Sequence, residues 1–80
     1  MKRNELKQVL DQKQLNNFFS LEGGLPNEVY CLGENANIWE VYYSQRGIKS
    51  NLRTFQMEDE ACNYFYNWFI KSMKSMGLLK

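Results

Sequence analysis

The sequence has no histidine, a single proline and only two cysteines. Each shortage removes a class of chemistry. Without imidazole the chain lacks the commonest general base, the usual activator of a Ser or Cys nucleophile, and every mixed Cys/His metal site. Cys31 and Cys62 stand far apart with no CxxC spacing, which fits neither a zinc site nor a disulfide framework. They read as reduced, buried thiols that pack as small hydrophobes. No apolar run reaches the length of a membrane span, and no apolar stretch follows the charged opening MKRNELKQVLDQKQ. Neither a signal peptide nor membrane contact is expected, and the expected location is the cytoplasm. An excess of one charge is missing too. Ten basic against nine acidic residues give a net charge of +1, where a nucleic-acid binder of this size is usually clearly basic.

What the chain does have is apolar and aromatic bulk. Of its 80 residues 44% are hydrophobic and 15% aromatic, which suits one small packed domain over 1–80 rather than disorder. A domain this small buries only roughly 60% of its unfolded surface, so large rings matter more than layers. No repeat, low-complexity tract or linker interrupts it.

The periodicities place the elements. Leu6, Val9 and Leu10 sit at helical spacing, and the spacing predicts a helix over 4–13 with Asn4 as a possible cap. Phe18-Phe19-Ser20-Leu21 is a candidate short strand. Gly23-Gly24 and Pro26-Asn27 then mark turns. Strands are predicted over 28–33, 37–45 and 48–55, joined by loops too short for parallel crossovers. Along the central strand Trp39, Val41 and Tyr43 point to one face, expected to be the core, which Phe55 joins. Ile38, Glu40, Tyr42 and Ser44 point to the other. The last helix is predicted over 57–76, with Glu58, Asp59 and Glu60 in its first turn and Lys71, Lys74 and Gly77 at its end. Its expected core stripe is Ala61, Phe65, Trp68, Phe69, Ser72 and Met76, with Tyr64, Tyr66 and Ile70 partly outside it. The fold class is therefore α+β: an N-terminal helix, a three- to four-stranded antiparallel meander, and a C-terminal helix packed on one sheet face.

No acid, base and oxyanion site can be assembled from these residues, so an enzyme is not expected, and neither is a metal or cofactor. Adjacent carboxylates at 58–60 point in different directions around a helix and suit its N-terminal end better than an ion. The order helix, three strands, helix also occurs in double-stranded RNA-binding domains. Those place lysines at the start of the second helix, where this chain has Met57-Glu58-Asp59-Glu60. A small nucleic-acid-binding or regulatory interaction domain remains the alternative.

The stretches GGLPNEVYCL, WEVYYSQRG and LRTFQMEDEACNYF resemble small bacterial immunity proteins of polymorphic toxin systems. The matching residues are Trp39, Val41, Tyr42, Tyr43, Arg46, Gly47, Phe55, Glu58, Glu60, Ala61 and Cys62, and the likeness covers about residues 23–66. Gln45 departs from it, standing where those proteins carry Glu. The resemblance implies a protein that binds a cognate toxin domain and neutralises it without chemistry. From the geometry of the faces, the expected partner-binding residues are Glu34, Glu40, Tyr42 and Arg46. Tyr42 is the expected anchor, the two glutamates meet cations of a nuclease-type toxin, and Arg46 pairs with a carboxylate.

Overall fold

The computed structural model describes residues 1–79. Its order is α1 (Arg3–Asp11), a single 3-10 turn (Asn16–Phe18), β1 (Phe19–Ser20), β2 (Val29–Asn35), β3 (Ile38–Gln45), β4 (Ile48–Phe55) and α2 (Glu58–Ser75). The strands form one sheet in the order β1-β2-β3-β4. The three long strands are the expected meander. The short β1 is different, because it pairs parallel to β2, Phe19 opposite Tyr30. The sheet is thus mixed.

Both hairpin turns are two residues long with positive φ at both positions: Ala36 (51°) and Asn37 (70°), then Arg46 (53°) and Gly47 (75°). Turns of this hand match the twist of the strands they join, which offsets the strain of Ala36 and Arg46 in the left-handed region. In β4 the pairing slips between Val41 and Tyr43. Asn51, at φ 57°, is the extra residue of a β-bulge there.

α2 lies on the face that carries Tyr30, Leu32, Trp39, Val41 and Phe55. Its buried residues are Ala61, Cys62, Phe65, Phe69 and Met73, an i, i+4 ridge with Cys62 beside it. The expected Met76 is replaced by Met73, and Met76 is 52% exposed. The helix ends before Met76 can reach the sheet. Gly77 takes φ 78°, Leu78 N–H donates to the Met73 carbonyl (2.9 Å) and Gly77 N–H to that of Lys74 (3.1 Å), a Schellman closure. Tyr64, Tyr66 and Ile70 are half-buried against the same core, so the helix is covered on its flanks as well as along its stripe.

Rings tie the layers together. Tyr30 lies edge-on to Tyr43, Trp68 and Phe69, and Phe65 stacks on Phe69 with 5.7 Å between centroids. Such pairs contribute about 0.5–1.5 kcal/mol each beyond their buried area. Leu6 and Leu10 of α1, with Leu15 and Leu21, close one end of the core. α1 starts at Arg3, a residue earlier than expected. Lys2 N–H donates to Glu5 Oε1 (3.0 Å), while Asn4 lies exposed within the first turn and caps nothing. Gln14, at φ 58°, turns the chain and ends the helix short of Lys13.

Candidate functional site

The sheet face turned away from α2 is not the open surface that alternation alone implies. The parallel pairing of β1 with β2 forces the connection, residues 21–28, to run back along the sheet. It does so across this face as a strap. Gly23 N–H donates to the Leu32 carbonyl (3.1 Å), Tyr42 Oη donates to the Gly24 carbonyl (2.6 Å), and Arg46 N–H donates to Asn27 Oδ1 (3.0 Å). Beneath it Cys31, Gly33, Tyr42 and Ser44 are buried. A Cβ on Gly33 would come within 2.8 Å of the Gly23 backbone. Backbone therefore packs directly on backbone where strap and sheet meet, an approach only a glycine permits.

This changes the standing of Tyr42. It is only 1% exposed, so it cannot serve as the protruding anchor expected of it. Its ring is covered by the strap on one side and meets Lys49 Nζ at 4.7 Å from its centroid. Burial, with Cys31 and Glu40 nearby, pushes its phenol up to about 12. Burial likewise pushes the thiol of Cys31, its cross-strand partner, up to about 11. Both groups are protonated at neutral pH. Cys62 is buried on α2 itself and its thiol is also raised, chiefly by burial and then by Glu58.

Glu40 is half-buried and ion-paired with Lys49 across β3 and β4 (2.9 Å). Glu34 lies exposed near the end of β2, opposite Trp39 in register. Glu40 and Tyr42 share one hollow of about 270 Å³, whose rim also carries Glu22, Lys49 and the Glu34 end of β2 and whose back is the Gly23–Gly33 contact. Glu34, paired with Trp39, turns its side chain to the other face of the sheet. Arg46 does not join them. It is exposed on the β3–β4 turn, at the opposite end of β3 from Glu34. The seven residue steps from Trp39 to Arg46 span about 23 Å of strand. Glu22 is the rim member that sequence reasoning missed. The signal was Gly23-Gly24, read as a turn when it is the crossing point of the strap.

Among the described residues Glu22 and Glu34 make no ion pair, and no group of three or more His, Cys, Asp or Glu side chains is placed to hold a metal. The acidic start of α2 is occupied by the N-terminal segment. Glu58 accepts from Arg3 N–H (2.8 Å) and faces Lys2 Nζ, and Asp59 contacts the terminal ammonium. No helix among the described residues is long and apolar enough to cross a membrane.

No family model, curated protein or solved structure matches the chain. Any functional reading rests on its own residues. The residues that resemble immunity proteins mostly build the framework: Trp39, Val41, Tyr42, Ala61 and Cys62 are buried, and Arg46-Gly47 forms a turn.

Proposed function

We propose that the chain is a binding protein that neutralises a cognate toxin domain of cation-rich, nuclease type by covering it, one to one and without turnover. The observation that carries this reading is the hollow rimmed by the carboxylates of Glu22 and Glu40, with Glu34 exposed at the adjoining end of β2. Glu22 and Glu34 have no cationic partner among the described residues, while Lys49 is committed to Glu40. A nuclease must present lysines and arginines to phosphate, and a rim of free carboxylates complements that surface in charge. The rim is also preorganised, because the strap that carries Glu22 is pinned at Gly23, Gly24 and Asn27. A rigid binder loses less conformational entropy on association. Tyr42 supports the floor of the hollow in place of anchoring the partner, and Arg46 lies outside it.

The test is co-expression with the product of the adjacent open reading frame. The two should co-purify and the chain should protect growth. Reversing both free charges, Glu22→Lys with Glu34→Lys, should weaken the complex at least roughly tenfold through charge alone, with the far-ultraviolet spectrum unchanged. A complex indifferent to the double reversal, or no neighbour-encoded partner at all, defeats the reading.

A further inference from the structure

β4 is the open edge of the sheet. It pairs only with β3, and every residue from Ile48 to Thr54 is exposed. Alternate residues of such a strand point their N–H and C=O groups outward, ready for another strand. The edge is also positively charged. Between Gln45 and Gln56 there are three cations, Arg46, Lys49 and Arg53, and no acidic residue. Lys49 is held by Glu40, but neither Arg46 nor Arg53 makes an ion pair among the described residues. Arg53 instead lies over the Tyr64 ring, 5.7 Å from its centroid. It forms one wall of a second hollow, of about 420 Å³, with Asn51, Leu52, Tyr64 and Trp68. An open backbone edge, two unpaired guanidinium groups and an aromatic recess thus run side by side.

We infer that this edge takes up an acidic, extended peptide segment as a fifth strand. Its backbone pairs with the outward groups of β4. Its carboxylates meet Arg53 and Arg46, and an apolar side chain between them enters the recess against Tyr64 and Trp68. A second copy of the chain is the poorer occupant, because antiparallel pairing of β4 with itself brings like-charged strands together. Glu60, one turn before Tyr64 on α2, sets a limit at the Phe55 end, so the partner's carboxylates run from Arg53 towards the β3–β4 turn and not beyond it. The edge and the acidic hollow carry opposite charge, and binding at one does not require a toxin at the other.

The experiment is an amide chemical-shift titration of the full chain at low ionic strength. The probes are a short peptide alternating Glu with Val, its Lys-for-Glu counterpart, the acidic peptide N-methylated at alternate amides, and a uridine oligomer. Shifts along Ile48–Phe55 are expected with the acidic peptide alone. N-methylation should abolish them, and Arg53→Glu should weaken binding roughly tenfold. The N-methylated probe leaves the protein unaltered, so the test survives if that variant folds poorly. Four results overturn the inference: no response in β4, equal binding of the N-methylated peptide, a response at Tyr64 and Trp68 to the uridine oligomer in place of the peptide, or protection of β4 amides by self-pairing before any peptide is added.

Discussion

The hydroxyl of Tyr42 donates to the Gly24 carbonyl at 2.6 Å from an almost fully buried ring. Tyr42→Phe keeps the ring and leaves that carbonyl without its donor, which should cost about 1–2 kcal/mol at neutral pH. The same substitution should also change the alkaline limb of stability. In the unfolded chain Cys31 and Tyr42 ionise near their ordinary values of 9.0 and 10.0, and in the folded chain at about 11 and about 12. Above pH 9 the unfolded chain therefore sheds protons that the folded chain keeps. Stability from these two groups is fully present below that point, falls as pH rises, and is gone above about 12. The loss amounts to at most about 5 kcal/mol for the facing pair, about half of it from each group. Urea unfolding at pH 8 and near pH 11 should show a smaller drop for Tyr42→Phe than for the parent chain. Ser44, also under the strap, has a buried hydroxyl with no partner, and nothing in the structure explains it. Residue-level reading from sequence did well for Trp39 and Val41, whose face is set by alternation. It failed for Tyr42, since alternation assigns a face and says nothing of what covers that face.

Among the elements, the strands were the most legible, because aromatic and β-branched residues alternate and the turn residues are explicit. The parallel pairing of β1 was not legible. A strand of two residues has no periodicity, and the loop after it resembled an ordinary turn. That pairing directs residues 21–28 over the sheet, so the error at β1 and the error at Tyr42 have one cause. The close contact of strap and sheet makes a sharp prediction. Gly33→Ala places a methyl 2.8 Å from the Gly23 backbone, and this overpacking should lower stability by about 1–3 kcal/mol. Thermal unfolding measures the loss, and the amide signals of Gly23, Gly24 and Arg46 should move together as the strap lifts. The end of α2 shows another kind of miss. Gly77 was read as its stop, but Met73 lies within the last turn and Met76 just past the final helical residue, Ser75, so the buried stripe ends on Met73 in place of the expected Met76.

Across the whole molecule, one core joins both layers. The Cα radius of gyration is 11.7 Å, close to the roughly 11.6 Å expected of a compact chain of this length. Two tryptophans report on different parts of that core. Trp39 packs under the Arg3 guanidinium, 5.5 Å from its ring, and Trp68 lies against Tyr30 at 4.7 Å. Unfolding should be a single step. Fluorescence of Trp39→Phe and Trp68→Phe variants should give midpoints that coincide with circular dichroism of the same variant, with a urea slope of about 1 kcal/mol/M. Separate midpoints would mean that α1 and the Trp39 end come apart first. The candidate surfaces were the least legible feature. A net charge of +1 conceals two poles, carboxylates at the strap hollow and the adjoining end of β2, and free guanidinium groups along β4, and only the sheet register sorts one from the other.

The crossing of Gly23 over Gly33 has a consequence for lineage. Position 33 cannot gain a side chain while Gly23 stays where it is, and position 23, at φ 69°, favours glycine on its own account. A distant descendant of this chain can exchange its rings, charges and turns and still betray its ancestry by two glycines ten places apart.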